Sequence, residues 1–332
     1  MCELPTTSTR NGSAGVLRWL VAGDRGQLCS PQQAGIHPEL HTMTNSEIER
    51  ITNQKGSFGT RKARAAALHA AAKTLKTELN IQLKTFAGLK VEHIQKLVQH
   101  WTQQGIEKRT MANRMSHIRT ALRCHERAKF ARDVRISNAA LGLAKASRGG
   151  THTVPPAASI EERLSAMKPP AQAVARLQIA LGLRAQEAIQ ADQSLKTWEK
   201  QLAQGRPVSV LHGTKTGKPR DVQLHTQEAR DKAIAAVKGA LQIAKHHPNQ
   251  RILPAKTIGA ANRAYQRAMN KVGFKGSEAS HCLRYHWARQ QFAAHVERLG
   301  SQKEALSALA MDLGHGDGRG RYCKQVYLKK NE

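Results

Sequence analysis

The 332-residue sequence contains few aromatic residues and no long apolar run. Phe, Trp and Tyr make up only 4% of the chain, so Ala, Leu, Ile and Val must fill its core, for which a hydrophobic fraction of 40% is sufficient. Because no run of about 18 apolar residues occurs, a transmembrane helix is excluded. The N-terminus lacks a basic region followed by an apolar stretch, so we expect no secretory signal peptide.

Cysteine is scarce and scattered. The five residues are an odd number, and no two are near neighbours: Cys2, Cys29, Cys124, Cys282 and Cys323. This pattern argues against a disulfide framework and favours a reducing compartment. We also expect no metal site at His281, Cys282 and His286, because their spacing is not a recognised ligand pattern and no second pair accompanies it.

Acidic residues are also few, since 24 Asp and Glu stand against 53 Lys and Arg and leave a formal net charge of +29. Such an excess indicates a polyanionic partner, and nucleic acid is the first candidate because neutralised phosphates release counterions. An anionic membrane surface and ribosomal RNA are alternatives, but neither explains the motifs described below. We therefore expect a cytoplasmic, nucleoid-associated protein that binds double-stranded DNA and no membrane.

Changes in composition divide the chain into four segments. Residues 1–42 are rich in Thr, Ser, Gly and Pro, which predicts a disordered tail, with Met43 as an alternative start of translation. Residues 43–148 predict a helical domain. A Gly-Gly and a Pro-Pro pair predict a linker at 149–156, because a helix cannot continue through them. Residues 157–332 predict a second domain.

Helical patterns dominate the first domain. The Ala-, Lys- and Arg-rich stretch 61–79 and the apolar spacing of 91–103 each predict a helix. A third helix, beginning near Thr110, combines an apolar stripe with a stripe of arginines at i, i+4 spacing: Arg119, Arg123 and Arg127. We expect these arginines to form a basic outer face that lies against DNA, with a merely solvated face as the alternative.

The second domain begins with two helices that end near Gly182, after which the pattern changes. Residues 195–202 predict a strand, while 208–211 and 220–224 predict the arms of a β-hairpin with its turn at 214–217. Helical patterns return in the remainder. The expected fold class is therefore mainly α: a helical first domain and a mostly helical α+β second domain with one small antiparallel sheet.

Four short motifs follow one another in the second domain. They are 182–187 (GLRAQE), 215–218 (KTGK), 281–284 (HCLR) and 313–315 (LGH), and two tyrosines follow them, Tyr322 and Tyr327. Each motif is weak alone, but their order on a basic two-domain chain is specific. Together they resemble the catalytic domain of the tyrosine recombinases, the phage integrase family. The first domain resembles that family's core-binding domain, so the resemblance covers roughly residues 50–332.

The resemblance implies a function as well as a fold. Members of the family are DNA integrases and recombinases of mobile genetic elements, and they exchange strands through a covalent 3′-phosphotyrosine without metal, ATP or another cofactor. It also implies a homotetramer on paired DNA sites, with accessory DNA-bending proteins as further partners. A topoisomerase of type IB shares this chemistry and is one alternative. A catalytically silent DNA-binding protein of the same fold is the other.

The family's phosphate-binding residues are matched by similarity. Phosphoryl transfer needs charge stabilisation at the non-bridging oxygens, and guanidiniums supply it through bidentate contacts. By resemblance these are Arg184 and Arg284, with Glu187 as a supporting carboxylate one helical turn after Arg184. His281 and His315 resemble the family's two active-site histidines, which transfer protons and contact the phosphate.

The proton donor and the nucleophile each have two candidates. Lys215 resembles the general acid that protonates the leaving 5′ oxygen, and Lys218 is its competitor. Tyr327, in the sequence QVYL, resembles the nucleophile, although its twelve-residue distance from His315 is longer than the family usually has. Tyr322 lies only seven residues after His315 and is the alternative. The Gly- and Arg-rich segment 316–321 can absorb the extra length.

Overall fold

The computed structural model describes residues 45–54, 56–147 and 149–328, apart from the side chain of Thr216. The predicted tail at 1–42 and the alternative start at Met43 lie outside these residues. Across the described ranges, none of the helices combines the length and apolar character that crossing a bilayer requires.

The first domain is built from helices around its own core. Ser57 caps the second helix by accepting a hydrogen bond from the Thr60 amide (3.3 Å), and that helix continues into a π-helical turn, Thr74–Glu78. The predicted helices at 61–79 and 91–103 are both present. The bounds are α1 Asn45–Thr52, α2 Phe58–Lys73, α3 Val91–Gln103 and α4 Lys108–Cys124.

The predicted outer face is wrong for two of its three arginines: Arg119 on α4, and Arg127, which lies just after the end of α4. The Arg119 Nη2 atom donates to the Ile136 carbonyl (2.7 Å), and the Arg127 Nη1 atom donates to the Leu89 carbonyl (2.5 Å). Both side chains turn inward because these loop carbonyls require donors. Arg123 is exposed, and its contact with DNA stays a prediction.

The second domain is mostly helical, as predicted. Helix α6 (Pro169–Leu181) begins with two prolines, is capped at its C-terminus by Gly182 and packs against neighbouring helices in the core. The bounds are α5 Ala157–Ser165, α6 Pro169–Leu181, α7 Ala185–Ile189, α8 Leu195–Ala203, α9 Gln227–Lys245, α10 Ile258–Lys271, α11 Cys282–Leu299, α12 Gln302–Asp312 and α13 Gly320–Tyr327.

The predicted hairpin is present as two short antiparallel strands. β1 (Val208–Val210) pairs with β2 (Arg220–Val222), and a 3₁₀ turn at Lys215–Gly217 forms part of the connection. The predicted strand at 195–202 is wrong, because this segment is helix α8. Its buried side chains recur at helical spacing rather than alternating: Leu195, Trp198 and Leu202.

Two separate clusters of buried hydrophobic side chains hold the chain together. One is drawn from residues 48–143 and the other from residues 160–327. The segment predicted as a linker, 149–156, runs between them. The second cluster lies beneath the motifs, since Leu183, Leu283 and Leu313 are all fully buried next to motif residues. Three of the four motifs are therefore fixed to the core by a leucine of their own, whereas 215–218 lies at the exposed hairpin connection.

Candidate active site

A pocket of about 450 Å³ in the second domain brings the sequence motifs together. Most of its lining is cationic or titratable: Arg184, Lys215, Lys218, Arg220, His281, Gly314, His315, Arg319, Tyr322 and Tyr327. We call this the cationic pocket. It collects residues from α7, the hairpin, the start of α11 and the segment from α12 to α13.

Arg184 is placed by the sharp end of helix α6. Gly182 adopts a left-handed conformation (φ 58°), and a Cβ there would overlap the indole ring of Trp287, so only glycine fits. Arg184 then caps α7. The Glu187 carboxylate accepts hydrogen bonds from the Arg184 amide (2.8 Å) and from its guanidinium (2.5 Å).

Glu187 is the centre of a buried charge cluster. Its side chain is 1% exposed and also accepts a hydrogen bond from Arg220 (2.8 Å), while the Arg284 Nη1 atom lies 3.8 Å away. Burial alone would raise the carboxyl pKa, but the charges of Arg220, Arg284 and Arg184 outweigh burial and lower the pKa to about 2. Glu187 therefore stays ionised and holds three arginines at one position.

Arg220 is a site residue that the motifs did not reveal. It lies on strand β2 and donates to the Asp312 carbonyl (2.5 Å) as well as to Glu187. A Cβ at Gly314 would lie 2.6 Å from its Cδ atom, so the glycine leaves room for this side chain. The available signal was the alternation of β2, which puts Arg220 on the same inner face as Val222.

Arg284 lies under the cationic pocket rather than on its wall. Its side chain is 0% exposed and donates to the Gly182 carbonyl and to the Leu313 carbonyl (2.5 Å). The guanidinium carbon lies 6.0 Å from the centre of the Tyr327 ring, which covers it. Burial and the charge of Arg220 lower the Arg284 pKa to about 10, so it remains protonated at neutral pH.

Both predicted histidines reach the pocket in their neutral form. Burial, followed by the charge of Arg284, lowers the pKa of His281 to about 3 and that of His315 to about 4. The Nε2 atom of His315 lies 3.0 Å from the Tyr327 hydroxyl oxygen. A neutral imidazole at this distance can accept the hydroxyl proton.

The two candidate tyrosines lie on the same helix but differ in setting. Tyr327 is 3% exposed and its hydroxyl contacts His315, whereas Tyr322 is 38% exposed. The Tyr322 ring meets the His315 ring edge-on, with 4.9 Å between the ring centres. Both side chains line the cationic pocket.

The two candidate lysines are both exposed at the connection between β1 and β2, and both line the cationic pocket. The charge of Lys215 contributes to the lowered pKa of His315, which places this lysine near the histidine. Either amine can therefore donate a proton or a hydrogen bond to a group bound in the cationic pocket.

One group of metal-ligand type lies behind the pocket, within the ranges that the structure describes. The ligand atoms of His225, His295 and Asp312 lie within 4.8 Å of one another. The Arg298 guanidinium, which can only donate, lies 3.3 Å from His295 Nδ1, so His295 Nε2 donates to Asp312 at 2.8 Å. This geometry makes the group a hydrogen-bonded support behind Arg220.

The sequence matches the models of two protein families. The family described as "Integrase" matches residues 142–290, and the family described as "Phage integrase, N-terminal" matches residues 43–131. A comparison with curated proteins gives no match.

Solved structures share the fold. A lambda integrase dimer bound to a COC′ core site has a TM-score of 0.56 and 17% identity, covering 88% of this chain and 99% of that one. The Tn1549 transposon integrase in complex with circular intermediate DNA has a TM-score of 0.51 and 12% identity over 88% of this chain and 97% of that one. A lambda integrase tetramer bound to a Holliday junction has a TM-score of 0.51 and 17% identity, covering 93% of this chain and 85% of that one.

These three findings agree with one another. The family matches fall on successive parts of the chain, the likeness in fold spans both parts, and the cationic pocket gathers all four motifs. The chain belongs to the tyrosine recombinases, the phage integrase family.

Proposed function

We propose that this protein is a site-specific DNA recombinase that cleaves and rejoins duplex DNA through a covalent 3′-phosphotyrosine. The observation that carries the proposal is the 3.0 Å contact between Tyr327 and neutral His315 inside a pocket lined with cations. An anionic phosphodiester fits that pocket by charge. The tyrosine hydroxyl then lies beside both a base and the bound phosphate.

The chemical step can be assigned to side chains in the pocket. The Tyr327 hydroxyl oxygen attacks the phosphorus and passes its proton to the Nε2 atom of His315. The bond from phosphorus to the 5′ oxygen breaks, and Lys215 supplies the proton that this oxygen takes up. One phosphodiester is exchanged for another, and rejoining is the same step in reverse.

The arginines supply the charge that the reaction needs. Arg184 and Arg220 line the cationic pocket and can stabilise the non-bridging oxygens of the phosphate. Arg284 can join them once the ring of Tyr327 moves from its position over the guanidinium. Glu187 contacts all three side chains and acts as their positioning residue. His281 completes the wall beside Arg184.

The same proposal names the substrate and the assembly. The net charge of +29 suits double-stranded DNA, and the solved relatives include a dimer on a core site and a tetramer on a Holliday junction. We therefore propose a homotetramer on paired duplex sites, assisted by accessory DNA-bending proteins, in a cytoplasmic, nucleoid-associated setting. The first domain spans 43–148 and the linker 149–156 in this proposal.

Covalent trapping tests the proposal. Protein is incubated with sheared DNA from the genome that encodes it, denatured, and recovered with its linked fragments for sequencing. We expect adducts at a narrow set of sites, with the phosphate at the 3′ end. Adducts spread over all sequences would identify a topoisomerase of type IB instead. Tight binding without an adduct, both alone and with extract of the host added, would identify a silent DNA-binding protein.

A further inference from the structure

The linker between the domains passes directly over the helix that carries Tyr327. The Gly150 amide donates to the Gln325 carbonyl on α13 (3.3 Å). A Cβ at Gly150 would overlap the Val326 carbonyl oxygen and would lie 2.9 Å from the Tyr285 ring. The two backbones are therefore in direct contact, at a position where even an alanine has no room.

His152, two residues further along the linker, packs against the back of the pocket. Its ring centre lies 5.3 Å from that of His281 and 5.4 Å from that of Tyr285. The Nδ1 atom lies 3.0 Å from the Ser277 carbonyl oxygen, and the Thr153 amide donates to the same oxygen (2.9 Å). Two hydrogen bonds thus fix this part of the linker against the catalytic domain.

The ring contacts continue to the nucleophile. The centre of the Tyr285 ring lies 5.5 Å from that of His281 and 4.7 Å from that of Tyr327. His152 and Tyr285 do not line the cationic pocket, so they face the two pocket residues from behind. Any displacement of the linker removes support from both His281 and Tyr327 at once.

We propose that Gly150 and His152 are positioning residues of the active site, through which the linker holds Tyr327 and His281 in reactive geometry. This inference rests on the proposed function for its kinetic consequence. The linker contact itself is independent of the chemistry. Because the linker continues into the first domain, the placement of that domain on DNA bears directly on the nucleophile.

Two glycine variants test the backbone contact in the full-length protein. Gly150→Ala has to lift the linker from α13, whereas a Cβ at Gly149 meets only the Ser147 hydroxyl at 3.3 Å. We expect G150A to slow formation of the covalent adduct by about 10-fold or more, with unchanged DNA affinity, and G149A to match wild type. Equal rates for both variants would overturn the proposal.

Two histidine variants separate ring packing from general stability. His152→Ala removes the ring that supports His281, whereas His152→Phe keeps a ring of similar size. We expect H152A to lose about 10-fold in adduct rate at unchanged affinity for DNA and unchanged melting temperature, and H152F to recover most of that loss. A loss in H152F as large as that in H152A would contradict positioning by ring packing.

Hydrogen exchange distinguishes failure of this inference from failure of the proposed function. The amides of α13 should exchange faster in G150A than in G149A, whether or not the protein cleaves DNA. If the wild type forms no adduct but G150A alone loses this protection, the proposed function fails and the linker contact stands. Equal protection in the two variants would refute the contact.

Discussion

At the scale of residues, the geometry of the site depends on the carboxylate of Glu187, which positions the arginines and takes no direct part in the proposed reaction. The buried carboxylate of Glu187 forms ion pairs with three arginines. The repulsion among these arginines is offset only while Glu187 is ionised. Removing one partner of a buried charge cluster leaves the other charges uncompensated, which costs more than the cluster contributes when complete.

Glu187→Gln should therefore destabilise the protein by about 3 kcal/mol, because it keeps the shape and removes the charge. Denaturant unfolding at pH 7 measures the effect. Glu161→Gln is the matched control, since Glu161 pairs with Arg176 at the surface, where an ion pair contributes about 1 kcal/mol or less. Equal losses in both variants would contradict a buried charge cluster.

The two pocket histidines predict a pH dependence of stability. Their pKa values in the folded protein, about 3 for His281 and about 4 for His315, lie below the ordinary value of 6.5. Between pH 4 and pH 6.5 the unfolded chain binds more protons than the folded one. The contribution of the two histidines to the free energy of unfolding is therefore fully present above pH 6.5 and is lost as the pH drops toward 4. We expect the pair to cost about 3–4 kcal/mol between pH 7 and pH 5, about 2 kcal/mol from His281 and somewhat less from His315, which is partly exposed.

Unfolding curves at the two pH values check this expectation. The double variant His281→Asn with His315→Asn should show a smaller loss between pH 7 and pH 5 than the wild type. His246→Asn, at an exposed position, should keep the wild-type loss. An unchanged pH dependence in the double variant would show that other groups are responsible.

A modified substrate decides between the two lysines. Lys215→Ala should slow cleavage of ordinary DNA by about 100-fold or more, because the leaving 5′ oxygen then lacks its acid. A 5′-bridging sulfur leaves as a thiolate without needing a proton, so the same variant should cleave that substrate at close to the wild-type rate. Lys218→Ala is the matched control on both substrates. Rescue by sulfur in K218A rather than K215A would reverse the assignment.

At the scale of elements, the turn from α6 into α7 determines where Arg184 lies. Gly182→Ala places a Cβ into the Trp287 ring and forces a left-handed conformation on alanine, so we expect a loss of about 1–3 kcal/mol in the free energy of unfolding. Gly239→Ala is the control, because Gly239 lies within α9 with no atom within 4 Å of its Cβ position and should be neutral or stabilising. Thermal or denaturant unfolding measures both.

The sequence predicted elements well where the signal was local. The helix at 91–103 and the hairpin at 208–224 each show their period within a few residues, and the structure confirms both. Helix α8 was mistaken for a strand, because the apolar residues of a short segment can fit both the helical repeat and the alternation of a strand. Its Trp198 donates to the Ser209 carbonyl (2.7 Å), a contact that only the folded domain supplies.

The site shows the same division between local and distant signals. The motifs predicted most of the residues that line the cationic pocket, since each motif is a contiguous piece of chain. Arg220 could not be assigned, because its partners Glu187 and Asp312 are distant in sequence. Arg119 was wrongly predicted to face outward for the same reason. It donates to the Ile136 carbonyl, which lies on a later loop, and the hydrophobic periodicity of α4 gives no sign of that contact.

At the scale of the whole molecule, the chain has two separate hydrophobic clusters and a net charge of +29, both of which the proposed recombinase function uses. The first cluster of buried residues ends at Leu143 and the second begins at Ile160. The likeness in fold to lambda integrase spans 88% of this chain, so it extends over both clusters. In the proposed function, the net positive charge provides affinity for DNA, and the reaction takes place in the cationic pocket.

The most direct test of this account is to map the covalent adduct by peptide mass spectrometry. We predict that the nucleotide is attached to Tyr327, that Tyr327→Phe forms no adduct, and that Tyr322→Phe forms it at close to the wild-type rate. An adduct on Tyr322, or one that persists in Y327F, would contradict the assignment of the contact between His315 and Tyr327 as the reactive centre.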